Sequence, residues 1–288
     1  MWKRIYLSGG GICGVAHVGA LQALDTRISL ATIKEWMGVS AGALTALCLA
    51  IGFTLDELAD FSLRFDFTHI QEPDTPTGWI LHMGMDTGER LLRLIHACLH
   101  VKGFADTVTF EELYQATGLT LRVLATDLNQ ATGRVFSPTD SPRYPVAVAV
   151  CASMTYPYYF QPLICPETGH HLIDGGVTSN YPLYLLPKEE HPRTLALLLR
   201  LGISRTHDLA DLPPEQRLIR PLSVALTEKT NIETTLYDTE CIRIPIDDVN
   251  VLDFSLSEDA KQRLLVRGRD AVETWWAERP KPVRRHSF

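Results

Sequence analysis

Three stretches of this chain carry no Asp, Glu, Lys or Arg: Ile5–Leu24, Trp36–Leu55 and Tyr144–Pro166. Each matches the roughly 20 residues that a membrane-spanning helix needs, so each has to be tested as a span. Their content rules spanning out. Gly9, Gly10, Gly11 and Gly14 interrupt the first, and Gly38, Ser40 and Gly42 crowd the start of the second. Pro145, Pro157, Pro162 and Pro166 cut the third. All three are expected as buried segments of a folded domain. The composition agrees: 45% of the 288 residues are hydrophobic, which supplies a core and excludes disorder as the dominant state.

The formal charge of −7, from 27 Lys and Arg against 34 Asp and Glu, argues against a nucleic-acid partner, since that needs a basic surface. The opening Met1–Ser8 holds Lys3 and Arg4 but no apolar run ahead of the glycines, so no secretory signal is expected. Cys13, Cys48, Cys98, Cys151, Cys165 and Cys241 form no C-x-x-C pair. They read as reduced thiols of an intracellular protein, cytoplasmic or peripheral to membranes, with no metal and no cofactor.

Short apolar runs alternate with segments of helical spacing. Ile5–Ser8, Ile33–Val39, Leu121–Thr126, Leu172–Asp174, Thr194–Leu201 and Cys241–Ile246 read as strands. Val15–Leu24, Ala41–Ile51, Asp86–Val101, Thr109–Thr117, Val146–Ala152 and Glu258–Ala277 read as helices, and another starts at Thr54 with Glu57 completing its cap. The alternation predicts a three-layer α/β/α architecture around a mostly parallel sheet. Gln71–Gly88 reads as an irregular excursion or lid and Ser204–Pro221 as a second loop. Neither marks a boundary, so residues 1–288 are expected to form a single domain. Arg279–Phe288 reads as a frayed basic tail, with a contact to anionic lipid as the alternative.

Gly38-Val39-Ser40-Ala41-Gly42 is a G-x-S-x-G sequence between a predicted strand and a predicted helix, the setting of a nucleophile elbow. Such a turn would present the Ser40 hydroxyl at the carboxyl end of the sheet, with the Ala41 amide at the helix start beside it. Gly9-Gly10-Gly11-Ile12-Cys13-Gly14 has two readings. It fits a dinucleotide-binding turn with Glu35 as ribose ligand, or a loop that turns successive backbone amides toward a developing oxyanion. Asp174-Gly175-Gly176 closes another strand. If that strand lies parallel beside the serine strand, Asp174 reaches the same crevice and can take the serine proton.

In this order and on these elements, the three motifs resemble the patatin-like phospholipase family of lipid acyl hydrolases. The resemblance extends to Thr126–Asn129, to Ala152–Pro162, to Asn180-Tyr181-Pro182 and to Asp253-Phe254. It implies a Ser–Asp dyad of Ser40 and Asp174, an oxyanion hole from the amides of Gly9, Gly10 and Gly11, and supporting roles for Gly14, Gly38, Gly42, Gly175 and Gly176. It also implies a motif-bearing core at about 5–186, followed by a strand-and-helix extension at about 187–278 and the tail at 279–288. The expected reaction is cleavage of fatty-acyl esters of membrane phospholipid or another acyl-ester lipid, through an acyl-enzyme, with no metal or cofactor and with peripheral membrane contact. Cys13 stands where the family often has a basic residue, and Met154 where a small one is usual.

Other readings stay open at this stage. A Ser–Asp–His order would draw on His191, His207 or His286, of which His191 and His207 read as solvated surface residues. His17 reads as a hydrogen-bonded core histidine, and Cys13 and Cys48 as packing thiols. The runs Trp79–Met85 and Tyr156–Leu163 read as interfacial or lid-forming and as channel-lining or core, respectively. A lipid transacylase, or a silent lipid- or nucleotide-binding module, would share the motifs.

Overall fold

The computed structural model describes residues 2–202, 208–212, 214–237 and 239–279. In chain order these form β1 (Arg4–Leu7), α1 (Val15–Asp25), β2 (Glu35–Val39), α2 (Ala41–Ala50), α3 (Leu55–Arg64), α4 (Pro76–Leu81), β3 (Gly84–Asp86), α5 (Glu89–Val101) and α6 (Phe110–Thr117). There follow β4 (Thr120–Asp127), β5 (Thr132–Phe136), α7 (Val146–Met154), β6 (Tyr158–Phe160), β7 (Leu163–Ile164), β8 (His171–Asp174), β9 (Thr194–Leu201), α8 (Pro214–Glu233), β10 (Glu240–Ile246) and α9 (Glu258–Glu278).

The central strands β10, β9, β1, β2 and β4 are parallel, in that order. They are the expected α/β core: β1 is buried at every residue and β9 over Thr194–Leu199, as sheet covered on both faces must be. One face packs Ile5, Leu7, Trp36, Val123 and Leu197 under helices α1, α2, α7 and α9. The other buries Tyr6, Met37, Val39, Leu124 and Leu198 beneath Tyr181, Leu183 and Leu186. The C-terminal third is part of this core, since β9 pairs with β1 and α9 lies along α1. The helices approach so closely that a Cβ on Gly268 would come within 2.0 Å of the Ala16 carbonyl oxygen.

The end of the sheet departs from the parallel expectation. Strand β8 runs antiparallel to β4, pairing Asp174 with Ala125 and Leu172 with Asp127. Because β5 occupies the opposite side of β4 from Val123 to Asp127, β8 lies on the side already used by β2. The two strands therefore meet head-on: β2 ends with Val39 opposite Leu124, and β8 ends one step further with Asp174 opposite Ala125.

Local signals hold at the helix starts. Thr54 with Glu57 and Thr109 with Glu112 form reciprocal capping boxes. Three expectations do not hold. Asp86 belongs to β3 rather than to a helix; its buried carboxylate accepts the amides of Glu72 and Gly88, and the helix begins at Glu89. Gln71–Gly88 is ordered around α4 and β3. The last part of the second loop, from Pro214 on, is instead the start of α8, which holds Pro221 in its interior while Ile219 is buried against the body of the protein. Of that loop, residues 204–207 and 213 lie outside the described residues, as do residues 280–288 of the tail. Arg279 itself stacks on Trp2 and Trp275 and pairs with Glu240.

Candidate active site

Ser40 occupies the turn between β2 and α2 at φ 54° and ψ −128°, outside the regions that side-chain-bearing residues ordinarily adopt. The turn persists because its neighbours leave it no room to relax. A Cβ on Gly38 would lie 2.3 Å from the Gly42 carbonyl oxygen, and one on Gly42 would lie 2.2 Å from that of Leu7. Gly14 packs its α-carbon against Ala41, where a Cβ would approach the Ala41 methyl to 2.9 Å. Small residues thus let β1, β2 and the starts of α1 and α2 close around the serine.

The head-on meeting of β2 and β8 brings Asp174 to Ser40. The Asp174 carboxyl sits beside the Ser40 side chain on the wall of one cavity, and the Gly176 amide donates to Asp174 Oδ1 at 2.7 Å. Gly175 makes the approach feasible, since a Cβ there would fall 2.1 Å from the Leu124 carbonyl oxygen. Burial pushes the Asp174 carboxyl up to about 6, against the pull of the hydrogen bonds from Ser40 and Gly176. The carboxylate is consequently ionised at neutral pH yet basic enough to accept a proton.

The glycine loop faces the same point, and its amides can be accounted for one by one. Ser8 N–H donates to Leu197 O, Gly9 N–H to Asn180 Oδ1 at 2.7 Å, Ile12 N–H to Val251 O and Cys13 N–H to Gly10 O. Among the described residues the amides of Gly10 and Gly11 find no acceptor. Both residues line the same cavity as Ser40 and Asp174. Gly11 adopts φ +54°, and a Cβ there would strike the Val251 carbonyl oxygen at 2.0 Å. Of the three expected oxyanion glycines, then, Gly9 has its amide engaged and the other two have theirs available.

That cavity measures about 540 Å³. From Ser40 it runs along α2 past Leu44, Thr45 and Cys48 and is walled by Leu58, Phe61, Ile70, Leu91 and Leu94. Met154, Tyr156 and Phe160 also line it, so part of the third charge-free stretch forms wall as well as core. Helix α8 covers the opposite side with Ile219, Ser223, Leu226 and Thr230, and the Ser223 hydroxyl meets that of Tyr156 at 3.0 Å.

Two residues that the sequence marks only as parts of longer family-like stretches hold the site together. Ser153 is fully buried on α7; its Oγ accepts the Ser40 amide at 2.9 Å and donates to Leu124 O at 2.6 Å, tying the elbow to β4. A lone serine amid the apolar face of α7 was the available signal. Asn180, noted only within a family motif, bridges the segment after Asp174 to the glycine loop.

The competing readings separate cleanly. Glu35 stands at the start of β2, the end remote from the glycine loop, and pairs with Arg4 and Arg122, which hold its carboxyl below the usual range although burial alone would raise it. It is no ribose ligand for that loop. His191, expected on the surface, is buried with Nε2 within 3.0 Å of Leu183 O and 3.2 Å of Leu186 O, on the sheet face beneath which Tyr181 and Tyr237 pack. His207 and His286 lie outside the described residues. His17 is fully buried, and burial pushes it down to about 4. It is therefore neutral at pH 7, and its Nε2 meets Ser8 O at 2.9 Å. Burial pushes the Cys13 thiol up to about 12, as a packed, inert thiol requires. The run from Trp79 on stays out of the cavity wall and leaves Ile80 83% and Leu81 70% exposed. Among the described residues no helix is long and apolar enough to cross a membrane.

The model of the family described as Patatin-like phospholipase matches residues 5–187. YqhO of Bacillus subtilis (strain 168), an uncharacterized protein, is 28% identical over 286 residues, covering 92% of this chain and 95% of its own. A protein of Invertebrate iridescent virus 6 named "Probable lipid hydrolase 463L" is 26% identical over 188 residues; the match takes in 63% of this chain and 62% of that relative, a little under two thirds of its length. Among solved structures, VipD from Legionella pneumophila is similar in fold, with a TM-score of 0.61 at 17% identity over 96% of this chain and 67% of that one.

Proposed function

This chain belongs to the patatin-like phospholipase family, and from that premise we propose that it is a lipid acyl hydrolase of phospholipase A or lysophospholipase type, acting through a Ser40–Asp174 dyad. The carrying observation is Ser40 and the Asp174 carboxyl side by side at one end of a 540 Å³ cavity walled by leucine and phenylalanine. An acyl chain lying along α2 places its ester carbonyl over Ser40, within reach of the Gly10 and Gly11 amides.

Asp174 takes the hydroxyl proton as Ser40 Oγ bonds to the carbonyl carbon, and the negative charge that forms on the carbonyl oxygen is met by the two free glycine amides. The alcohol or lysolipid leaves with the proton held by Asp174, and an acyl-Ser40 ester remains. Water that loses its proton to Asp174 then releases the fatty acid. The exposed Trp79, Ile80, Leu81 and Met83 supply apolar side chains for a peripheral membrane contact.

The test is incubation with defined phospholipids, lysolipids and neutral glycerides, with products read by mass spectrometry, beside fluorophosphonate labelling of Ser40. Free fatty acid is the expected product, and an acylated acceptor in its place would assign a transacylase. Undiminished ester cleavage by Ser40→Ala would overturn the assignment.

A further inference from the structure

The Gly10 and Gly11 amides find no acceptor among the described residues, and both residues line the cavity beside Ser40. We propose that Asn180 is a positioning residue that locks the Gly9 peptide and thereby orients the oxyanion donors, a role that rests on reading the site as an acyl hydrolase.

Asn180 reaches Gly9 across 171 residues of sequence and grips it from both sides. Its Oδ1 accepts the Gly9 amide at 2.7 Å, and its Nδ2 lies 3.5 Å from the Gly9 carbonyl oxygen. Ser8 Oγ also donates to that carbonyl, at 3.3 Å. In a trans peptide the C=O of one residue and the N–H of the next point in opposite directions. Holding the Gly9 carbonyl toward Asn180 and Ser8 therefore turns the Gly10 N–H the other way. The neighbourhood is that of Ser40, because a Cβ built on Gly9 would lie 2.9 Å from the Ser40 Cβ and 3.0 Å from Asn180 Oδ1.

Asn180 is itself held. The buried Tyr6 hydroxyl donates to the Asn180 carbonyl at 2.7 Å, and the next amide, that of Tyr181, donates to Ser179 Oγ at 3.2 Å. Asn180 follows Asp174 by six residues in the same tight segment, so one piece of chain sets both the proton acceptor and the oxyanion donors.

Two variants and two readouts test this. Asn180→Ala removes both grips; kcat should fall roughly 10- to 100-fold while KM stays within about threefold, because the lost interaction is made in the transition state. Asn180→Asp keeps an acceptor for the Gly9 amide but sets a second carboxylate near Asp174. It should retain more kcat than the alanine variant and move the acid limb of the pH profile to higher pH, a shift that a purely structural role would not produce.

The second readout needs no turnover. Hydrogen exchange of the segment 8–13 should speed up by about tenfold in Asn180→Ala, with exchange in β4 and β9 unchanged. An alanine variant with kcat within about twofold of the parent protein, or unchanged exchange in the glycine loop, would overturn the proposal. A parent protein that cleaves no acyl ester would refute the functional reading, and the exchange experiment would still decide the Asn180 grip.

Discussion

Ser40 and Asp174 face each other across the gap where β2 and β8 meet head-on along one side of β4. The reversal of β8 creates this relationship. A parallel β8 on the outer side of β4 would put a whole strand between the two residues. Sharing one side of β4 sets Val39, the residue before the serine, opposite Leu124 and Asp174 opposite the adjacent Ala125.

Asp174→Asn should lower ester turnover by at least about 10²-fold, the scale of a lost general base. It should also raise stability at pH 7. The folded carboxyl, pushed by burial from 3.8 up to about 6, is held ionised there at a cost on the order of 3 kcal/mol. That cost is fully present above pH 6 and disappears as pH falls through 6 toward 3.8. Denaturant melts of the two proteins should therefore diverge at pH 7 and converge near pH 4. Equal stability at pH 7 would show that the burial penalty is not felt.

On the proposed mechanism the same carboxyl sets the pH profile. The value of kcat/KM should fall tenfold per pH unit below about 6, because the proposed mechanism needs Asp174 unprotonated in the free enzyme. An acid limb near pH 4, measured on a soluble short-chain ester, would contradict this.

Ser153→Ala should destabilise the fold by roughly 2–3 kcal/mol, because it strips the bonds to the buried Ser40 amide and Leu124 carbonyl at once. Turnover should fall by about tenfold as the elbow loses its anchor. Chemical denaturation and kcat of the purified variant check both effects.

Gly42→Ala should prevent stable folding, since its methyl has no space against the Leu7 carbonyl 2.2 Å away and the obstruction is backbone. Recovery of soluble, cooperatively melting protein would show that β1 and α2 can part at little cost.

Leu44→Trp should shift preference toward shorter acyl chains. Leu44 lines the cavity one helical turn beyond Ser40, so the larger ring blocks the path of a long chain. An unaltered chain-length profile, measured as kcat/KM over a series of acyl esters, would place the acyl chain elsewhere.

Much of this architecture was legible because its causes are local. Thr54 and Thr109 announce their helices through capping boxes completed within three residues. The run Thr194–Leu201 announces a strand buried on both faces because it has almost nothing to offer water. The misreadings have a common cause in the opposite direction. Asp86 was assigned to a helix because its real partners, the amides of Glu72 and Gly88, become visible only once the chain is folded. His191 looked like a surface residue between Glu190 and Pro192, yet the carbonyls of Leu183 and Leu186 satisfy it in the interior. Helix α8 has prolines at positions 214 and 221 and becomes a helix because one of its faces closes the cavity.

By itself the sequence determined the chemical cast: a serine in a turn that only small neighbours permit, a glycine run that bares its amides, and an aspartate before two glycines. These are properties of short segments, where sterics within five or six residues restrict the backbone. Which way β8 runs, which glycine amides stay free, and that Ser153 and Asn180 hold the two loops in place were decided by the tertiary structure. Those outcomes depend on hydrogen bonds between residues 113 and 171 positions apart, Ser40 with Ser153 and Gly9 with Asn180. A buried donor takes whatever acceptor the fold delivers, and no local pattern records which one that will be.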